Sequence, residues 1–473
     1  MAANKPFLLF ITSAILLVVL TGCGGGSSLS FPTPQGSFSN SSLNGPFAFS
    51  YTGTDGGGFL AVAGSLQFDG AGHITSGLQD INSGLGINTS VAITGTYNVR
   101  ADGRGSATLN ATAGNSTIDF VIVAGGHALI TRFDNAATGS GTLDQQTTSA
   151  FSNAALAGAF AFSTSGIDGS GNPLSFAGNF TSDAAGNITG IDDSNDVGTV
   201  LTNDPLTGTI PVAANGRGSA TLNTGNGVLT FAYYVVDTTH LKLVEVDTQF
   251  ATGGDAFRQT GPFSNASLSG SLAFTTAGSD NIAGGPFASG GILAADGAGN
   301  ITTSSVADFN DVGTLSTNIG FTGTYSIAAN GRGTLSMVTT PLGTLNFVVY
   351  PSSGGLIMLE TDVRFAAGGT ALQQTTPISN GSLSGTYGLN FTGVGTNGEI
   401  DSIAEFTADG ASKLSGIIDL NNTGAITFGQ PLSGTFTVAS NGRTTLTAQT
   451  PLGTQNLVVY VVSATRALFI EMD

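Results

Sequence analysis

Downstream of residue 38, apolar residues alternate with threonine, serine and asparagine in short stretches bounded by Asp-Gly and Asn-Gly pairs. Such pairs accept positive φ and form the two-residue turns whose twist suits an antiparallel hairpin. Leu335 and Met337 fall on one face of a predicted strand, with Thr334 and Ser336 on the other. Residues 231–236 and 457–462 are continuous apolar runs, which predict strands covered on both faces. No stretch after Cys23 keeps helical apolar spacing over ten or more residues without glycine. The chain carries 71 glycines in 473 residues, and each one inside a helix would cost about 1 kcal/mol relative to alanine. The pattern is all-β.

The pattern also repeats. Phe38-Ser39-Asn40, followed by Leu43 and Gly45, returns as Phe151-Ser152-Asn153, Phe263-Ser264-Asn265 and Ile378-Ser379-Asn380, at intervals of 113, 112 and 115 residues. Each copy then carries an Asp-led turn (Asp69, Asp183, Asp296, Asp409), a Gly-Thr pair (Gly95, Gly208, Gly323, Gly434) and a hairpin arginine (Arg104, Arg217, Arg332, Arg443) in the same order. A duplicated domain explains this order. In the third copy, strands are predicted near residues 271–276, 291–295, 300–308, 322–327, 332–338, 345–350 and 355–362.

Short connections favour a meander, which about 100 residues can close into a barrel or fold as two sheets. The expected architecture is four tandem antiparallel β-barrel modules of about 113 residues, at residues 38–134, 151–247, 263–362 and 378–473, with a β-sandwich as the alternative. Leu383-Ser384-Gly385-Thr386-Tyr387 resembles the first strand of lipocalin and avidin barrels, where Gly-x-Trp is usual; tyrosine stands in the tryptophan's place here. Residues 135–150, 248–262 and 363–377, rich in Gly, Ala, Thr and Gln, read as linkers between beads.

The N-terminus carries Lys5 and then an apolar run at residues 7–20, shorter than the roughly 20 residues a membrane-spanning helix needs. Its length suits a signal-peptide core. The following Leu20-Thr21-Gly22-Cys23 resembles the lipobox of bacterial lipoproteins. That resemblance covers the first 23 residues. It implies a signal peptide at residues 1–22 that is removed, and a diacylglycerol on the sulfur of Cys23, the chain's only cysteine. In that family an aspartate after the cysteine commonly marks inner-membrane retention. Gly24 stands there instead and points to the outer membrane. Residues 23–37 then read as a flexible tether.

A net charge of −18, with 12 basic against 30 acidic residues, excludes the clustered positive surface that nucleic acid requires. One cysteine excludes an intrachain disulfide framework, and three scattered histidines argue against a structural zinc site. No cofactor motif is present.

Three modules end in paired acids: Glu245 and Asp247, Glu360 and Asp362, Glu471 and Asp473. Two carboxylates on one strand face could serve glycoside hydrolysis. The favoured expectation is structural, with Glu245, Glu360 and Glu471 pairing with the hairpin arginines Arg217, Arg332 and Arg443 of their own modules. A second acidic group, Asp193, Asn195 and Asp196, with its copy Asp308, Asn310 and Asp311, offers oxygen ligands for calcium. It lacks the glycine and final glutamate of an EF-hand, and Asp and Asn at strand ends commonly cap turns. Asp80 with Asn82, and Asp419 with Asn421, are reduced versions.

The expected function is that of a non-enzymatic, lipid-anchored envelope protein. Its four β modules would serve adhesion, spacing or envelope interaction, with an envelope glycan or protein as partner. The alternative is small-ligand or glycan binding inside the barrels, and a third expectation, a glycan-active enzyme, would rest on one acid pair.

Overall fold

The structure, a computed structural model, describes residues 28–30 and 38–473 except residue 113. In the first module the hairpin signals become β2 (Asn44–Asp55), β3 (Gly58–Asp69), β4 (His73–Ser83), β5 (Gly86–Val99), β6 (Arg104–Ala111), β7 (Ser116–Ala124), β8 (His127–Phe133) and β9 (Ala137–Gln145). Each pairs antiparallel with the next, and β9 returns to β2 from Phe47↔Gln145 to Asp55↔Ala137, closing an eight-stranded barrel. Eight strands leave an interior just wide enough for side chains. Phe49, Leu66, Ile93, Leu109, Phe120 and Ile130 fill this one. The second and third modules repeat the meander, and the fourth curls seven strands of its own. The predicted alternation holds: Leu335 and Met337 are buried in the third barrel while Thr334 is exposed.

The recurring landmarks are barrel fittings. The side-chain oxygen of Asn40 accepts the Val99 amide at 2.8 Å, and Asn265 and Asn380 do the same for Ile327 and Val438. The Tyr97 hydroxyl donates to the Leu43 carbonyl at 2.8 Å, and that of Tyr325 to Leu268 at 2.6 Å. Phe-Ser-Asn thus folds a short 3-10 turn over one end of its own barrel, and the tyrosine after Gly-Thr holds it there.

The stretches read as linkers carry the eighth strands: Ala137–Gln145, Phe250–Arg258 and Phe365–Gln373. Their glycines follow from close packing rather than flexibility. A Cβ on Gly141 would collide with the Ser50 carbonyl, and one on Gly369 with that of Thr275. In the fourth module the seam between Ser384–Gly395 and Arg466–Glu471 is bridged by β1 (Ser28–Ser30), which pairs with residues 466–468 and, at Ser30↔Gly388, with the first strand. Part of the expected tether is therefore a strand of the last barrel. The expected signal peptide, Cys23 and the rest of the expected tether lie outside the described residues.

The modules are not separate beads. Strands one and two of each barrel pack on the late strands of the next, and the first module receives the fourth in the same way. Small residues on one side admit bulky ones on the other. Ala48, Ala61 and Ala63 meet Tyr234, Val236 and Val244, while Ala161 and Ala177 meet Val348, Tyr350, Ile357 and Leu359. Ala273, Ala277, Ala288 and Ile292 join the core of the fourth module, whose Ile403 reaches Val121, Val123 and Leu129 of the first. One head-to-tail interface used four times closes a ring.

All four barrels stand the same way up. The turns after strands one, three, five and seven form an upper rim; the other turns and the connections between barrels form a lower rim. Upper meets upper where Gly198 lies against Val363 and Gly424 against Asn135. Lower meets lower where Gln146 donates to the Val235 carbonyl at 2.6 Å and Gln374 to that of Val461 at 2.7 Å.

Candidate functional site

The Asp-x-Asn sequence on the third strand of each barrel builds the site that defines the assembly. Strand alternation puts its aspartate and asparagine on the same outer face, toward the following module. Asp80, fully buried, accepts Arg217 of the second module at Nε (2.8 Å) and Nη2 (2.7 Å). The Tyr234 hydroxyl and the Ser90 amide also donate to it. Asp193 takes Arg332 at 2.9 and 2.6 Å, together with Tyr350 and the Asn203 amide. Asp308 takes the Arg443 Nε at 2.8 Å, Tyr460 at 2.8 Å and the Asn318 amide at 2.8 Å. A bidentate guanidinium, a phenol and a backbone amide fill the acceptor sites of each carboxylate.

The asparagine makes the second half of the lock. The Asn82 amide donates to the carbonyls of Glu245 (3.0 Å), Asp247 (3.3 Å) and Phe250 (2.9 Å). Asn195 does the same to Glu360, Asp362 and Phe365, Asn421 to Arg132, Asp134 and Ala137, and Asn310 to Glu471 at 3.2 Å. Hydrogen bonds to Asp80 and Asp308 hold Arg217 and Arg443 above the usual arginine range. Burial, and then the neighbouring aspartate, pushes Tyr234 and Tyr460 well up, so both phenols stay protonated as donors.

The closing junction differs. Arg104 gives Asp419 a single bond at 3.3 Å and turns its Nε to Asp102, the residue that replaces the asparagine of the other hairpins. Val121 stands opposite Arg104 where Tyr234 stands opposite Arg217. This junction also buries extra acid. Asp401 accepts from Thr138, Ser140 and Thr392, with Glu399 beside it, and burial raises both carboxyls. Asp119, also facing Asp419, is pushed up to about 6 by burial. The first junction has a cation of its own: buried Lys242 reaches Asp144 at 2.8 Å and Thr142 at 2.5 Å. Against the cost of burial, Lys242 and then His127 hold the Asp144 carboxyl well below the usual range.

Two expectations from the sequence are corrected. The hairpin arginines Arg217, Arg332 and Arg443 do not pair with Glu245, Glu360 and Glu471. Arg217 and Arg443 open their fifth strands at the lower rim, Arg332 directly precedes its own, and each glutamate closes its seventh at the upper rim, so they sit at opposite ends of one barrel. The glutamates are buried, and burial raises Glu245 and Glu360 well above the usual range and Glu471 to about 9. Their companions bond the neighbouring sixth strand instead: Asp247 accepts the Thr230 amide at 2.7 Å and Asp362 that of Asn346 at 2.6 Å. In the proposed calcium group, Asp193, Asn195, Asp308 and Asn310 spend their polar atoms on the junctions. Asp311 binds Arg364, and Asp196 is the last residue of its strand, Asn187–Asp196. Among the described residues, no three His, Cys, Asp or Glu side chains are placed to hold a metal ion.

The lock tyrosines escaped the sequence reading although a signal exists. Tyr234 and Tyr460 each follow their hairpin arginine by 17 residues and Tyr350 follows by 18. Two cavities complete the site. One of about 30 Å³ lies inside the fourth barrel among Leu389, Phe406, Leu432 and Phe469. A cleft of about 450 Å³ runs beside the second junction, lined by Thr202, Thr324, Ser326, Ser336 and Asn346. No protein-family profile matches the chain, and no curated protein matches it.

Proposed function

We propose that the chain is a lipid-anchored protein of the cell envelope, held in the outer membrane through Cys23, whose four barrels act as a non-enzymatic scaffold for adhesion, spacing or envelope interaction. The observation that carries this reading is the junction Leu20-Thr21-Gly22-Cys23 directly after an apolar run, with the chain's single cysteine at the acceptor position. Two or more acyl chains anchor stably where one does not. The barrel packing supports a scaffold over a small-ligand carrier, because a carrier's pocket is about 300–1,000 Å³ and the cavity inside the fourth barrel is about 30 Å³. The cleft beside the second junction, lined by hydroxyl and amide groups together with Arg332, Leu335 and Phe347, suits a polar partner such as an envelope glycan.

Mass spectrometry of the protein from a membrane fraction tests the reading. An acylated N-terminal peptide beginning at Cys23 is expected, and Cys23→Ser should shift the protein to the soluble fraction. Retention of residues 1–22 on an unmodified Cys23 would contradict it.

A further inference from the structure

Eleven large apolar side chains are exposed among the described residues, and all eleven lie at the upper rim. They come from every module: Leu85 in the first, Val197 in the second, Ile282, Val312 and Val363 in the third, and Phe428 in the fourth. Leu85 and Ile282 are 72% and 77% exposed at the tips of their turns. The lower rim carries the Asp-led turns at Asp69, Asp183, Asp296 and Asp409 and the hairpin arginines. Single exposed apolar residues are ordinary on a protein surface; their segregation to one face of a ring marks an interaction surface.

The direction of β1 identifies what covers it. Ser30 pairs with Arg466 near the lower rim and Ser28 with Leu468, so the chain traced backward from Ser28 climbs toward Glu471 and the upper rim. The register is that of a true eighth strand: Ser30 faces Gly388 as Leu372 faces Ala273, and Leu29 faces Ala467 as Ala371 faces Leu356. Cys23 stands five residues before Ser28 in the sequence, and five residues reach at most about 18 Å.

We infer that the upper rim is the face laid against the lipid surface, the side toward which β1 directs the chain that leads back to Cys23. This rests on the lipid-anchor reading and adds an orientation to it. The partner is a bilayer of neutral headgroups, since the chain's acidity repels anionic lipid.

The absence of tryptophan and the single cysteine make the test clean. The chain from residue 23 is coupled through the Cys23 sulfur to a maleimide lipid in brominated phosphatidylcholine vesicles, with one tryptophan introduced at a time. Leu85→Trp and Ile282→Trp should lose about half their emission relative to unbrominated vesicles, as groups at the acyl boundary do, while His73→Trp on the lower rim stays unchanged. Quenching of His73→Trp equal to that of the rim variants, or no quenching at any position, would overturn the proposal. Because the coupling is chemical, a finding that cells leave Cys23 unacylated would remove the anchor reading without altering this comparison.

Discussion

Asp193, itself fully buried, accepts two guanidinium nitrogens, a phenol and a backbone amide. Breaking a buried pair leaves a charge uncompensated and costs about 3–5 kcal/mol, whereas replacing both partners with apolar residues is often neutral. Asp193→Asn should therefore lower the urea unfolding free energy by about that amount, and Asp193→Leu combined with Arg332→Met should restore most of it. A double variant no better than the single would show that the loss does not come from an uncompensated buried charge. Glu360 gives a second residue-scale prediction. Burial, and then Asp362, raises its carboxyl well above the usual range, so the folded barrel keeps the proton that the unfolded chain releases above about pH 4.3. The wild type then loses about 1.4 kcal/mol per pH unit relative to Glu360→Gln above that pH. Urea unfolding at pH 5 and pH 8 should show the variant's advantage growing with pH, and a constant difference would contradict the assignment.

At the scale of elements, strands and hairpins were legible because their signals are local. All seven strands expected in the third module are present; the first four are longer toward the upper rim, as Thr314–Ile327 shows against an expected 322–327, and the seventh stops short at Glu360. The run at residues 231–236 was legible as covered on both faces, but what covers its outer face lies in another module. The eighth strands were missed because glycines that allow backbones to touch look, in sequence, like glycines of a linker. Asp-x-Asn stood out as a motif, yet its partners Arg217, Arg332 and Arg443 lie more than 130 residues away, a distance that local pattern does not encode. The closing junction carries its own prediction. Asp119, Glu399, Asp401 and Glu405 all have raised carboxyls, chiefly through burial: Asp119 faces Asp419, Arg100 and Arg104, Glu405 faces Asp102 and Arg104, and Glu399 and Asp401 face each other among Thr54, Thr138, Ser140 and Thr392. A raised acid favours the closed junction below the unfolded value near pH 4 and opposes it as pH climbs through the folded value, about 6 for Asp119. Hydrogen exchange at residues 121–129 and 400–403 should accelerate from pH 5 to pH 8 beyond the intrinsic rate change, and by more than at residues 348–359 of the second junction. Equal behaviour at both junctions would refute this.

For the whole molecule, every module carries both halves of one interface: aspartate and asparagine on its early strands, arginine and, in three of four, tyrosine late in the meander. An excised third module has its own closed sheet but exposes Asp308 and Asn310 on one flank and Arg332 and Tyr350 on the other. It should fold without metal and self-associate head to tail toward a four-membered ring, seen by sedimentation at rising concentration. A module that stays monomeric at all concentrations would show that the interface needs covalent linkage to form.

The central claim is that the first and fourth modules meet. Spin labels at Asn135→Cys and Thr423→Cys, in a Cys23→Ser background, sit on opposite sides of the closing junction, where Asn135 lies against Gly424. Dipolar spectroscopy should return one short, narrow distance. A broad distribution extending to long distances would mean a string of barrels and contradict the ring.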